Sequence, residues 1–307
     1  MCGGTPLITQ LPQPPATNPF GEMKLLAPIS DICLLTRSTT DIPTTLVDSP
    51  DAVSKLVDQL PQLPTDPPSI YIDLEGVNLS RDGSISILTL MVHPSDSQKH
   101  VYLINIHALN SLAFNSRGQN GLTLKDILES PTIPKVFFDV RNDSDALYAH
   151  FQISLEGIED VQLMEIGSRH CTLSRKYLKG LATCIQYHAP IPLYPAVHHW
   201  ILAKQKGDRL FNPSLGGSYE VFNENPLSED IKSYCSGDVR YLPILRNLYW
   251  DKLKQINFWK QRVIEETRLR VIESQSPTYQ PRGGHKTLGP WTDYTIETRG
   301  DPYLDSD

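Results

Sequence analysis

Apolar and polar positions alternate most clearly in two stretches, 84–92 and 99–106. Each reads as a β-strand with one face turned to a core. A shorter apolar run, Ser69-Ile70-Tyr71-Ile72, precedes them and ends in Asp73-Leu74-Glu75-Gly76. Asp82-Gly83 lies between and supplies a hairpin-type turn. Three successive strands with short connections predict an antiparallel meander. Helical spacing takes over elsewhere. Val53, Leu56, Val57 and Leu60 form a stripe behind Ser49-Pro50, a cap followed by a proline at the first helical position. Residues 122–128 read as a short helix stopped by Pro131 and Pro134. Residues 135–138 form a fourth strand, followed by a helix through Ala146, Leu147, Ala149 and Phe151, a βα unit. The pattern predicts a fifth strand over 160–165 and an amphipathic helix over 178–185. Residues 190–226 read as irregular, except for a helix near 199–206. A last core helix starts at the Ser228 cap and carries Ile231, Tyr234, Cys235, Asp238, Tyr241, Leu242, Leu245 and Leu248. Pro243 is expected to kink it around residue 239. The sum is an α/β domain over residues 44–250, a mixed five-stranded sheet flanked by helices.

Composition adds the flanks. Many of the 25 prolines cluster outside the periodic stretches. Residues 1–43 read as a flexible Pro-rich arm with one short apolar element, Ile29 to Leu35. Residues 251–307 read as a basic C-terminal helix and extension. Between 251 and 290, Lys and Arg exceed Asp and Glu by four, on a chain of net charge -7. Trp259, Val263, Thr267 and Arg270 lie at helical spacing there. This segment is either a helix docked by its aromatics or a nucleic-acid contact, and docking is favoured of the two. The acidic balance argues against a protein that coats nucleic acid by bulk electrostatics, but not against a metal-dependent enzyme acting on it. The five cysteines include no Cys-x-x-Cys pair, so neither a zinc site nor a disulfide framework is indicated. Reduced thiols and the lack of a leader-like pattern point to an intracellular, not secreted, protein of nucleus or cytoplasm. No apolar run is long enough for a membrane span.

Chemistry concentrates at four places. A strand sends Asp73 and Glu75 to the same face. Two carboxylates that close repel unless a cation sits between them, and Mg²⁺ is the simplest partner. Asp143 lies at the turn from the fourth strand into its helix, with Asp145 two residues beyond as a second candidate for the same role. Tyr234 and Asp238, four apart, share a helix face. Each alone is ordinary: a strand end, a turn residue, a surface pair. Their combination, in this order and on these elements, is specific.

In that combination the chain resembles the DEDD superfamily of 3′–5′ exonucleases, in the tyrosine-containing (DEDDy) branch of ribonuclease D-like enzymes and the Werner helicase exonuclease domain. Asp73-Leu74-Glu75 matches the first motif, and Lys135 to Asp143 with Leu147 the second. Tyr234-Cys-Ser-Gly-Asp238-Val-Arg-Tyr-Leu242 matches the third in full. Residues 75–83 and Asp139-Val140-Arg141 are similar to the Egalitarian-like branch. Phe138 stands where ribonuclease D-like members often have His, and Asn225 where they have Arg. Asp139 reads as structural, and Asp143 is preferred over Asp145 by its spacing to Leu147. The resemblance implies a ribonuclease H-like fold and a two-metal phosphodiester hydrolase using Mg²⁺ or Mn²⁺. Asp73 would bridge both ions, Glu75 and Asp238 would complete the one that activates water, Asp143 would hold the other, and Tyr234 would orient the water. Leu74 would wedge under the terminal base. The implied partner is the 3′ end of a single-stranded nucleic acid, RNA favoured over DNA. Two other readings are a catalytically silent RNA-binding scaffold and an unrelated ribonuclease H-like nuclease. Retention of all four acids and the tyrosine weighs against the first, and the Tyr-x-x-x-Asp motif against the second.

Overall fold

The structure, a computed structural model, describes residues 42–94, 98–170, 174–190 and 193–291. The apolar element expected at Ile29 to Leu35 lies outside the described residues. A six-stranded mixed sheet forms the centre, in the order β1-β4-β3-β2-β5-β6. Its strands are β1 (Thr44–Val47), β2 (Ile70–Glu75), β3 (Ile87–Val92), β4 (His100–Asn105), β5 (Lys135–Phe137) and β6 (Ile158–Asp160). The expected meander is present: β2, β3 and β4 pair antiparallel, with Asp73 opposite Thr89 and Glu75 opposite Ile87. Around it, β1 joins β4, β5 joins β2, and β6 joins β5, all parallel.

The register of β5 decides where the second motif lands. Ile70 pairs with Lys135 and Tyr71 with Val136. Parallel strands end on the same side, so the chain leaving β5 emerges beside Asp73 and Glu75. The helix Arg141–Phe151 starts there.

Strand periodicity divides the core in two. Tyr71, Ile87, Met91, Val101, Leu103 and Val136 face one layer of helices, while Ile70, Ile72, Leu74, Leu88, Leu90 and Ile104 face the other. The second layer contains the helices Pro50–Val57, Leu124–Leu128 and Arg141–Phe151. Ser49 caps the first by accepting from Ala52 N, and Thr123 with Asp126 forms a capping box on the next. Lys135 is buried in this layer, its Nζ donating to Ile127 O (3.0 Å) and Ser130 O (2.7 Å) at the end of that helix. Asp73 and Glu75 follow Tyr71 in the period and so belong to the opposite face. There the helix Glu229–Arg240 crosses β2, β3 and β4.

Several expectations are corrected. The sheet has six strands, because Thr44–Val47 is an edge strand too short and too exposed to show alternation. The fifth expected strand, 160–165, is strand only to Asp160. Asp160 caps a helix, Val161–Gly167, by accepting from Gln162 N. All seven residues of that helix are buried, polar Gln162 and Glu165 included, and the alternation of Asp160-Val161-Gln162-Leu163 imitates a strand. Pro243 does not kink one helix; it opens a second, Leu242–Leu253, where its missing N–H costs nothing. The stretch read as largely irregular holds the long helix Tyr194–Phe211, and the helix expected at 178–185 runs instead from Leu181 to His188.

The basic tail segment forms the helix Asn257–Gln275 and docks against the helices Arg141–Phe151 and Val161–Gly167. Trp259 and Val263 are buried at its N-terminal half. Arg270 is buried too, pairing with Asp160 (2.7 Å) and Asp139 (3.6 Å). Among the described residues, no helix is long and apolar enough to cross a membrane.

Candidate active site

Three of the expected acids meet. Carboxylate oxygens of Asp73, Glu75 and Asp238 lie within 4.8 Å of one another. Strand period brings the first two together, and the Glu229–Arg240 helix lays the third across them. Asp143 stands outside this tightest group, in the first turn of its helix, and its buried carboxylate feels the charge of Asp73. Burial raises all four carboxyls. Asp73 is pushed up to about 7, first by burial and then by Asp238. Glu75 rises well above the ordinary carboxylate range through burial, Asp73 and Asp238, with Asp143 adding to it. Asp143 rises through burial and Asp73, and Asp238 rises through burial, partly offset by Lys204.

Asp145 and Asp139 are committed elsewhere. Asp145 accepts from Arg81 Nε (2.6 Å) and Arg81 N (2.8 Å), which closes the loop after β2 onto the helix of the second motif. Asp139, at φ 61°, pairs with Arg141 at 2.6 Å. Burial pushes its carboxyl up, but Arg141 and Arg270 hold it below the usual range. Asp160 fixes the same turn by accepting from Asp139 N (3.0 Å) and Val140 N (3.2 Å). Of the acids in this turn, Asp143 is the one with no hydrogen-bond donor among the described residues. Leu74, expected as a wedge under a base, is 3% exposed and packs in the opposite core. That is the direct result of strand alternation: if Asp73 and Glu75 face the site, Leu74 cannot.

Lys204 was not singled out from the sequence. It forms a short ion pair with Asp238 and donates to Tyr234 Oη at 3.1 Å, with its ammonium 4.3 Å from the Tyr234 ring centroid. Burial would lower its pKa, but Asp238 and then Glu75 raise it above the ordinary lysine value. It is one of four residues on a single helix face turned to the third motif. Trp200 Nε1 donates to Gly237 O (3.1 Å), Gly207 lies against Tyr234, and Phe211 sits edge-on to the Tyr234 ring at 5.0 Å. The spacing 200, 204, 207, 211 is a helical stripe, and it was the available signal.

Tyr234 is 7% exposed. Burial, then Glu75 and Asp238, holds its hydroxyl protonated far above neutral pH. Its ring needs Gly207: a Cβ there would lie 2.5 Å from Tyr234 Cδ2. Gly207→Ala is expected to displace the ring, destabilise the fold by about 1–3 kcal/mol through overpacking, and reduce turnover more than Kd. Thermal melting and single-turnover kinetics together check this. A wild-type melting point would show that the ring has room.

The donor set is all carboxylate oxygen, the set that suits Mg²⁺ or Mn²⁺. Asp238 Oδ1 is buried with no hydrogen-bond partner. No donor among the described residues reaches Asp73, Glu75 or Asp143. An unpaired buried carboxylate oxygen is costly, and a divalent ion would satisfy it. Beside Glu75 opens a cleft of 430 Å³ lined by Glu75, Gly76, Asn78, Leu79, Tyr219 and Arg282.

Similarity to known proteins agrees with this geometry. A family model described as 3′–5′ exonuclease matches residues 44–254. A search of curated proteins returned no match. Among solved structures, Trypanosoma brucei RNase D is similar at TM-score 0.61 and 20% identity, over 81% of this chain and 79% of that one. Its complex with RNA U12 gives TM-score 0.61 at 18% identity, over 87% and 82%. Escherichia coli RNase D gives 0.52 at 18%, over 76% and 51%. At such identities the structural likeness speaks for the fold, the ribonuclease H-like sheet expected above. The family match spans more than half the chain and takes in the whole acid cluster, so the protein belongs to the 3′–5′ exonuclease family.

Proposed function

We propose that this exonuclease is a divalent-metal-dependent exoribonuclease, removing nucleotides one at a time from the 3′ end of single-stranded RNA. The observation that carries the reading is the convergence of three carboxylates, half-buried Asp73 and Glu75 and buried Asp238 with its unpartnered Oδ1, with Tyr234 one helical turn from Asp238. RNA rather than DNA is supported by the fold likeness to RNase D structures, one of them with RNA bound.

Divalent ions bound here would supply Lewis acidity, generating a nucleophile from water and offsetting charge on the leaving oxygen. Asp73, Glu75 and Asp238 would hold one ion, and Asp143 with Asp73 a second. The remaining work belongs to the chain. Tyr234, kept protonated, donates a hydrogen bond that aims an attacking water rather than taking a proton from it. Lys204, the one cation paired with Asp238 among the described residues, anchors both that carboxylate and the tyrosine hydroxyl. The Trp200–Gly237 and Phe211–Tyr234 contacts hold the two helices in register, as oriented catalysis requires.

Digestion of a 5′-labelled single-stranded RNA and its DNA counterpart, with Mg²⁺ or Mn²⁺ and with EDTA, tests the reading. A ladder shortening from the 3′ end, faster on RNA and absent in EDTA, is expected. RNA bound in EDTA but never shortened in either metal would instead leave a silent scaffold. Cleavage of a circular RNA would point to an endonuclease.

A further inference from the structure

The C-terminal segment beyond the docked helix has a job that docking does not explain. Residues 276–291 turn back and run past the acid cluster as a strap. Arg81 starts it, donating from Nη2 to Ser274 O and Ser276 O, both at 2.8 Å. Tyr279 Oη donates to Asn142 Oδ1 (2.8 Å), and Arg141 Nη2 donates to Lys286 O (2.9 Å). Leu178 N to Thr287 O (2.9 Å) and Gly289 N to Lys176 O (2.8 Å) fasten the far end. Trp291 then packs on Trp259 at 5.2 Å. The anchors are therefore residues beside the acids: Arg81 six positions after Glu75, and Arg141 and Asn142 just before Asp143.

Between those anchors the strap carries Arg282 into the wall of the cleft that holds Glu75. Its Nη2 donates to Asn78 Oδ1 at 2.8 Å. The chemistry of this pairing is informative. Arg81, Arg141 and Arg270, the other arginines of the region, are each spent on a carboxylate: Asp145, Asp139 and Asp160. Arg282 is not. Its hydrogen-bond partner is a neutral amide, it is exposed, and with donors to spare it lines a space otherwise walled by one acid and apolar or neutral groups. An exposed guanidinium in the wall of a cleft that also holds Glu75 suits an anion brought up to the acids, as a phosphodiester is.

We propose that Arg282 contacts a backbone phosphate of the substrate strand, so that the strap forms one wall of the nucleic-acid path. This inference rests on the exonuclease reading and adds to it a recognition element outside the residues matched by the family. The docked helix is a structural part of the tail, and the extension after it is the part that meets substrate. The contact is with backbone, so it is independent of base sequence.

Binding, rather than cleavage, tests it. Single-stranded RNA and DNA oligonucleotides are titrated in EDTA onto the Asp73→Asn protein, with and without Arg282→Ala or Arg282→Glu, across a range of salt. Arg282→Ala is expected to weaken binding about fivefold and to flatten the slope of log K against log salt by ~0.7, one phosphate contact on a single strand. Arg282→Glu is expected to weaken it further. Lys254→Ala, which removes the same charge from the exposed end of another helix, is expected to stay within about twofold. Unchanged affinity and slope in Arg282→Ala would overturn the contact while leaving the exonuclease reading intact. An equal loss in Lys254→Ala would reduce it to bulk charge. If the parent protein bound no oligonucleotide, and the unmutated chain cut none, the exonuclease reading would fall and take the inference with it.

Discussion

Asp73→Asn is expected to abolish 3′ trimming without costing the metal-free fold anything. The two halves of that result have one cause. Asp73 sits at the centre of the cluster, in electrostatic reach of Glu75, Asp238 and Asp143. As a metal ligand its charge is needed, and the amide offers a neutral oxygen and a competing N–H. A loss of at least about 10³-fold in turnover is expected, about 4 kcal/mol of barrier at 1.36 kcal/mol per decade. In EDTA the same substitution removes a carboxylate with no hydrogen-bond or ion-pair partner among the described residues, loses only the longer-range pull of Lys204, and relieves the repulsion on Glu75 and Asp143. The metal-free protein should melt at the wild-type temperature or above it. A variant that loses activity because it unfolds would melt lower. Near-wild-type trimming by Asp73→Asn would remove Asp73 from the metal set.

Mg²⁺ is expected to raise the melting temperature far more at pH 7.5 than at pH 5. Asp73, Glu75, Asp143 and Asp238 all have folded pKa values above their unfolded ones. The folded chain therefore holds protons that the unfolded chain has released, and the stability these groups contribute is lost as pH rises from about 4. For Asp73 the loss continues to about 7, and Glu75 and Asp143, also raised, act in the same direction. His93, His100 and His188, lowered by burial, act in the opposite sense as they neutralise, so the bare pH curve mixes both trends. The difference between Mg²⁺ and EDTA cancels the histidines and leaves the cluster. An ion at about 100 times its Kd adds about 2.7 kcal/mol. For a domain of this size that is on the order of 5–10 °C. At pH 5 protons compete for the same oxygens and the shift should shrink to about a quarter of that. Scanning calorimetry at the two pH values, with Asp73→Asn as control, decides it. An equal Mg²⁺ effect at both would mean that the ion binds elsewhere.

The placement of Asp73 and Glu75 was readable because a strand's period is short and their run is unambiguous. Tyr234 and Asp238 were readable for the same reason on a helix. Which of Asp143 and Asp145 faces the cluster was not readable. Both sit in one helical turn, and the answer depends on Arg81, reached through 64 residues of chain. Lys204 was hidden in a different way. Its helix begins after Pro190 and Pro192 and mixes His, Lys and Gln with its apolar residues, so the stripe through Trp200, Gly207 and Phe211 was masked by polar neighbours. The helix after Asp160 was misread as a strand because Asp160-Val161-Gln162-Leu163 alternates polar and apolar over its first turn, although Gln162 and Glu165 lie at helical spacing. Leu74 was given a role by family likeness that its own strand forbids.

Arg270 draws a different boundary from the one that sequence similarity draws. The matched family segment ends at residue 254, yet the guanidinium that neutralises buried Asp160 comes from beyond that point. Asp160 in turn holds the backbone of the turn that delivers Asp143. A fragment trimmed to the homologous segment would bury Asp160 without its counter-charge, at the very bend on which Asp143 depends. What evolution copies as a module and what this polypeptide needs in order to stand as one are not the same length of chain.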